Sequence, residues 1–257
     1  MVYTFDSRVR FSETDVDGNL SIAGLINYLQ DCSTFQSEDV GVGVEALRKK
    51  NQVWMTASWQ IVVERLPRFG DHITIGTKAV GFDPVLAQRN FFLLDDKGEM
   101  IVKANSYWTM VNIETGRAMH ITEDMISMYG LEKPMEMENA PRRIRVPAQG
   151  GIVFPAITVT EELLDVNKHV NNGKYIQLAA HVADEYHMTH GEASKEQQTP
   201  GGCGVQRRLH QIRAEYKKAA VLGDEMLPCL YLTDSTSIIT LKSPAGEVNA
   251  IVELLYE

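Results

Sequence analysis

One pattern occurs twice in the amino-acid sequence, and this internal repeat constrains the fold more than any other feature. Residues 15–20 (DVDGNL) in the first half align with residues 165–170 (DVNKHV) in the second half. Each block follows an extended run and precedes residues with helical spacing, so the order of elements repeats together with the motif. The sequence therefore predicts two tandem copies of one structural unit. A single mixed α+β domain with a chance repeat is the alternative.

The segment after each block predicts one long helix. Ser21 suits the N-cap position of the first helix, and Asn171 or Asn172 can cap the second. Apolar residues then recur at helical spacing, as Ile22, Leu25, Ile26 and Leu29 in the first helix and as Ile176, Ala179, Ala180 and Ala183 in the second.

Four strand-like runs follow each predicted helix. They are residues 53–64, 72–82, 86–94 and 100–113 in the first half, and 209–218, 225–232, 237–241 and 248–256 in the second. Residues 131–151 have three prolines and no periodicity, which predicts a linker between units at 1–130 and 152–257. Residues 189–204 are predicted as a mobile loop of the second unit. Each unit is thus expected to be an α+β arrangement, an antiparallel sheet with one long helix across it.

The composition excludes several classes of protein. A net charge of -9 argues against a general nucleic-acid binder, which needs a basic face. The three cysteines show no metal-ligand spacing and favour a reducing compartment. The sequence shows no signal or transit peptide and no apolar run of the roughly 20 residues that a membrane span requires. We therefore expect a soluble cytoplasmic protein without a metal, a cofactor or a nucleic-acid partner.

Three polar residues in the second block form the candidate site. Asp165, Asn167 and His169 alternate along the chain, so an extended loop would place their side chains on one side. The unpaired N–H groups of the helix that follows would add donors for a developing oxyanion. A carboxylate, an amide and an imidazole suit acyl transfer or hydrolysis. Asp and Asn before a helix are also common turn formers, so a structural role is the alternative. The first copy has Asp15, Asp17 and Asn19 at these places, and no histidine.

The other candidate nucleophiles have less support. No serine lies in a G-x-S-x-G motif. Cys203 falls in the predicted loop without a nearby histidine motif, whereas Cys32 and Cys229 are predicted to lie in the core.

At the candidate site the chain resembles the acyl-acyl carrier protein (ACP) thioesterases. The run of residues 165–175 (DVNKHVNNGKY) carries the resemblance, which extends in order over nearly the whole chain. Further agreement lies at residues 29–30, 106–112 (SYWTMVN), 115–117 (TGR) and 212–218 (IRAEYKK). The resemblance implies a tandem double hot-dog fold, in which each repeat is an antiparallel sheet wrapped around a long helix. It also implies hydrolysis of fatty acyl-ACP to free fatty acid, with an acyl pocket in the first repeat and Asp165, Asn167 and His169 as catalytic residues in the second.

The plant-type pattern of this family departs from the chain at one place. After the Glu-Tyr-basic-basic run it continues with Glu and Cys, where this sequence has Ala219 and Ala220. Glu215 would share a strand face with Ala219, but four residues separate them by about 13 Å along a strand. Direct attack by water, with His169 or Asp165 as the general base, is therefore the favoured mechanism. A covalent acyl-Asp165 intermediate is the other route.

The carrier itself is the expected partner, through its acyl-phosphopantetheine arm. ACP is acidic, so a net-acidic enzyme needs a local basic face to bind it. Two groups of cations are candidates: Arg207, Arg208, Arg213, Lys217 and Lys218, and the linker residues Arg142, Arg143 and Arg145. The alternatives are an acyl-CoA thioesterase and a non-catalytic acyl-binding module. The sequence leaves the acyl chain length and the oligomeric state open, a homodimer included.

Overall fold

The computed structural model describes residues 1–190, 208–233 and 235–257. The chain divides into two compact units, Met1–Arg142 and Arg143–Glu257. The division falls inside the segment that the sequence predicts as a linker, residues 131–151. Within the described ranges, no helix is both long enough and apolar enough to cross a membrane.

A sheet of five antiparallel strands forms most of the first unit. The strands are β1 (Tyr3–Arg8), β2 (Gln52–Val63), β3 (His72–Asp83), β4 (Leu86–Leu94) and β5 (Met100–Asn112). They pair in the order β1-β3-β4-β5-β2. The long helix α1 (Ile22–Asp39) packs on β1 and β3. The Ser21 hydroxyl accepts the N–H of Gly24 at 3.0 Å, which confirms Ser21 as the N-cap.

The second unit repeats this arrangement. Its strands are β6 (Ile152–Val153), β7 (Ile157–Thr158), β8 (Leu209–Tyr216), β9 (Glu225–Leu232), β10 (Thr236–Lys242) and β11 (Val248–Tyr256). The order is β8-β11-β10-β9, and both short strands β6 and β7 pair with β9. Pro155, which has no N–H to donate to a ladder, lies where this edge is interrupted. Helix α4 (Asn172–His190) packs on β9, β10 and β11. The α+β arrangement expected from the repeat is confirmed.

The predicted mobile loop at 189–204 overlaps the end of α4. Thr189 and His190 still belong to the helix. Residues 191–207, which include Cys203 and Arg207, lie outside the described residues.

Two short helices of the first unit have no counterpart in the predictions. They are α2 (Val44–Arg48) and α3 (Glu123–Tyr129). Leu47 of α2 and Met125 and Tyr129 of α3 are buried in one apolar cluster. Helices of five and seven residues are too short to show a helical period, so the sequence pattern did not indicate them.

The first part of the predicted linker is held against the sheet by amide side chains. We call residues 132–140 the strap. Met135 donates its backbone N–H to Oδ1 of Asn90 at 2.8 Å. The Gln60 amide donates to the carbonyl oxygen of Glu138 at 2.9 Å and accepts the N–H of Ala140 at 3.0 Å. The strap is therefore an ordered layer over the outer face of the first sheet, and its backbone groups are paired with buried side chains.

Replacing Gln60 should detach part of the strap. Gln60→Ala leaves the Glu138 carbonyl and the Ala140 N–H without their partner, which costs about 1 kcal/mol of unfolding free energy per lost hydrogen bond. Chemical denaturation measures this loss. Gln52→Ala is the control, because Gln52 lies in the same strand and its side chain makes no hydrogen bond within the part of the chain that the structure describes. Equal unfolding free energies for the two variants would contradict the proposed anchoring.

Candidate active site

Asp165, Asn167 and His169 lie in a tight turn. The backbone N–H of Asp165 donates to the His169 carbonyl oxygen at 2.8 Å, and the Asp165 carbonyl accepts the N–H of Lys168 at 2.9 Å. Lys168 has a φ of 61°, in the left-handed region that non-glycine residues rarely adopt. The expectation of an extended loop, with all three side chains on one side by strand alternation, is therefore wrong.

The Asp165 carboxylate holds this turn together. Its Oδ1 atom accepts the backbone N–H of Asn167 at 2.8 Å and that of His169 at 3.4 Å. The Asp165 carboxylate therefore contacts the backbone amides of the two other candidate residues. Asp165 and His169 are half-buried, and Asn167 is exposed.

The first copy forms the same turn with the same bonds. Oδ1 of Asp15 accepts the N–H of Asp17 at 3.0 Å and that of Asn19 at 2.9 Å. Gly18 occupies the left-handed position with a φ of 78°. Each aspartate therefore has a turn-forming role, as the structural alternative expected. What only the second copy has is the imidazole of His169.

The amides at the start of α4 are already paired. The side chain of Asn171 accepts the N–H of Gly173 at 2.8 Å. Its carbonyl oxygen accepts the N–H of Lys174 at 2.9 Å and that of Tyr175 at 3.3 Å. Asn171 therefore caps the helix, and the expectation that unpaired helix amides await an oxyanion is wrong for these three groups.

Ala219 and Ala220 lie in the loop after β8, which ends at Tyr216. The Ala220 carbonyl accepts the N–H of Val170 at 3.0 Å, and the Ala220 N–H donates to the Tyr175 hydroxyl at 2.8 Å. Ala220 is fully buried. The loop in which the plant-type pattern has Glu and Cys is thus bonded directly to the residue after His169. Tyr175 is not among the predicted site residues, although this tyrosine ends the run that carries the family resemblance.

Glu215 faces away from this loop and cannot replace the missing glutamate. It lies opposite Ile251 of β11, and Ile251 packs against Ile144 of the linker. The Glu215 carboxylate accepts the N–H of Ile144 at 3.3 Å and forms an ion pair with Lys217. Its neighbour Tyr216 points to the other face, since successive side chains of a strand alternate.

Two tyrosines pack beneath the turn. The rings of Tyr175 and Tyr216 have centroids 5.9 Å apart, and the Tyr216 hydroxyl donates to the carbonyl oxygen of Asn172 at 3.0 Å. Burial raises the pKa of both phenols above the ordinary value. Both hydroxyls therefore stay protonated at neutral pH.

Sequence comparisons place the chain among the ACP thioesterases. The profile of the acyl-ACP thioesterase N-terminal domain matches residues 1–129. The chain is 23% identical to the chloroplastic palmitoyl-ACP thioesterase of Cuphea hookeriana, over 98% of its own length and 64% of that protein. It is 26% identical to the chloroplastic oleoyl-ACP thioesterase 1 of Arabidopsis thaliana, over 65% of its own length and 51% of that protein. The chain thus spans less than two thirds of these plant relatives.

Solved structures share the fold over the whole chain. One is an acyl-ACP thioesterase from Bacteroides thetaiotaomicron, with a TM-score of 0.83, 22% identity and 98% of that chain covered. Another is the 12:0-ACP thioesterase of Umbellularia californica, with a TM-score of 0.81, 17% identity and 97% of that chain covered. The tandem double hot-dog fold expected from the sequence is confirmed.

The repeated turn allows a matched test of what each aspartate does for stability. Asp165→Ala and Asp15→Ala each remove an acceptor of two N–H groups, and each should lower the unfolding free energy by about 1–2 kcal/mol. Asp165→Asn and Asp15→Asn keep an acceptor oxygen at Oδ1 and should lose less. Urea unfolding compares the four variants. An Asn variant as unstable as its Ala counterpart would refute the turn-forming role.

Proposed function

The chain belongs to the acyl-ACP thioesterase family, and we propose from this that it hydrolyses the thioester of fatty acyl-ACP. The products would be a free fatty acid and the carrier with its free thiol, which ends fatty acid synthesis. One observation carries the proposal at the level of the site: the same turn is built twice, and only the second copy adds an imidazole, that of His169.

We assign the role of general base to His169. Asp165 Oδ1 is occupied by two backbone amides, as is the matching oxygen of Asp15 in the other copy. In our mechanism a water molecule attacks the thioester carbonyl carbon and His169 takes its proton. The C–S bond of the tetrahedral intermediate then breaks, and the leaving thiolate recovers a proton from the imidazolium.

Asn167 is the donor that we propose for the oxyanion. Its side chain is exposed at the turn, and its amide group has N–H donors that can bind a carbonyl oxygen. The amides of Gly173, Lys174 and Tyr175 are bonded within the helix start, so these three groups offer an oxyanion no unpaired donor. Acyl chain length, a cytoplasmic location and the oligomeric state stay predictions.

His169→Asn tests the base without disturbing the turn, because the first copy forms the same turn with Asn19. We expect kcat to fall about 10²- to 10⁴-fold, the usual contribution of a general base, while the unfolding free energy stays unchanged. Release of fatty acid from acyl-ACP measures the effect. Near-normal turnover of this variant would contradict the assignment.

Asp165→Asn distinguishes direct attack by water from a covalent acyl-Asp165 intermediate in the same assay. It preserves the turn, so we expect most of the turnover to remain. Complete loss of turnover in a stable Asp165→Asn protein would instead favour a covalent acyl-Asp165 intermediate. A wild-type protein that binds acyl-ACP but releases no fatty acid would favour a non-catalytic acyl-binding module.

The carrier-docking surface that we propose lies on the linker. In the first predicted group of cations, three form intramolecular ion pairs: Arg213 with Glu253, Lys217 with Glu215 and Lys218 with Glu247. Arg207 of that group lies outside the described residues. Arg143 and Arg145 of the second group are exposed, and neither forms an ion pair within the described part of the chain. They offer the acidic carrier two charges that no carboxylate of the described chain neutralises.

Reversing these charges should weaken productive binding of the carrier. For Arg143→Glu/Arg145→Glu we expect a raised KM for acyl-ACP, an unchanged kcat and an unchanged KM for the same acyl group on CoA. Lys49→Glu/Lys50→Glu is the control, because it makes the same change in net charge on exposed residues of the first unit. Equal KM values for acyl-ACP in the two variants would argue against docking at the linker. A wild-type preference for acyl-CoA would favour the rival activity.

A further inference from the structure

A buried hydrogen bond links the first turn of α4 to the loop after β8. The Ala220 N–H donates to the Tyr175 hydroxyl at 2.8 Å, and Tyr175 and Ala220 are 3% and 0% exposed. The carbonyl of the same alanine accepts the N–H of Val170, the residue directly after His169. Through Ala220 the Tyr175 hydroxyl is thus connected to the turn that contains His169.

The first copy has the loop without this bond. Matching backbone bonds, Val9 N to Asp71 O at 3.0 Å and Val159 N to Asp224 O at 2.8 Å, set the register between the two loops. In that register Pro67 corresponds to Ala220. The alignment of the Asp15 turn with the Asp165 turn makes Leu25 the helix position that corresponds to Tyr175.

Pro67 accepts the N–H of Leu20 at 2.7 Å, just as Ala220 accepts that of Val170. Proline has no N–H to donate, and Leu25 has no hydroxyl to receive one. The backbone connection therefore forms without a tyrosine. The bond from amide to hydroxyl is an addition, and it occurs in the copy that carries His169.

We propose that Tyr175 is a positioning residue: its hydroxyl fixes the loop at Ala220 to helix α4 and thereby holds the turn that carries His169 in place. This inference rests on the proposed function, because it concerns the same site. A general base must be held within a fraction of an ångström of its working position, and a supporting hydrogen bond on a rigid helix does this. Burial raises the pKa of Tyr175, so the hydroxyl does not ionise over the neutral range in which the enzyme would be assayed.

Tyr175→Phe removes the hydroxyl and leaves the ring in the core. We expect kcat to fall about 10- to 100-fold, as misplaced catalytic groups do, with KM within about twofold of wild type. Kinetics are measured well below the unfolding temperature, so that all of the protein is folded. Tyr28→Phe is the matched control, since it removes a buried tyrosine hydroxyl from helix α1 of the first copy, where it donates to the Arg8 carbonyl oxygen and to Glu13. The control should keep its kcat. An equal loss of kcat in both variants would overturn the proposal.

The double variant Tyr175→Phe/Ala220→Pro distinguishes positioning from mere stability. It removes both the hydroxyl and the N–H that the hydroxyl had satisfied, as in the first copy with Leu25 and Pro67. We expect Tyr175→Phe alone to lower the unfolding temperature and the double variant to restore it, while kcat stays low in both. Recovery of kcat together with stability would show that the bond only stabilises the fold, and would overturn the proposal.

Amide hydrogen exchange tests the inference without any substrate. In Tyr175→Phe the Val170 amide should exchange faster, because its acceptor at Ala220 is less firmly held, whereas the Leu20 amide of the first copy should not change. Unchanged exchange at Val170 would overturn the positioning role. If the wild-type protein released no fatty acid from acyl-ACP, the proposed function would fail, and this exchange result would still decide the structural claim.

Discussion

Each unit depends on one backbone hydrogen bond that ties the start of its long helix to the loop after its first long strand. Leu20 donates to Pro67 at 2.7 Å in the first unit, and Val170 donates to Ala220 at 3.0 Å in the second. Both donors are buried, so each bond lies in the core and sets where the helix begins against the sheet. Because only main-chain atoms take part, the side chains on either side of the bond are free to differ between copies. His169 directly precedes the donor Val170 in the second copy, and Asn19 directly precedes the donor Leu20 in the first.

Much of the fold could be predicted because its signals are local. Strands β4 and β9 have the bounds that the apolar runs indicated, since turn residues flank them and their side chains suit a half-buried sheet. The tandem organisation was equally accessible, because the Asp-containing turn and the order of elements both recur. The residue types of the candidate site came from the same comparison of copies, which set His169 apart from Asn19.

The geometry of the site could not be predicted, because it depends on distant contacts. Nothing in a lysine indicates a left-handed backbone, so the turn at Lys168 was expected to be extended. The sequence allows either Asn171 or Asn172 to cap the second helix. Because Asn171 accepts the Gly173 N–H, that donor is not available to a substrate. The bond between Tyr175 and Ala220 joins residues 45 positions apart, and no periodicity or motif indicates such a pair. Prediction therefore reached the identity of the candidate residues and not their arrangement.

The strap also contributes to how the strands of the first unit are held together. Its partners Asn90 and Gln60 lie on β4 and β2, and β5 pairs with both of these strands. The strap finds all of these hydrogen-bond partners only when the three strands stand side by side. Without that pairing the backbone groups of Met135, Glu138 and Ala140 lack these partners. The strap thus ties β2 to β4 across β5, through side chains rather than through the backbone ladder of the sheet.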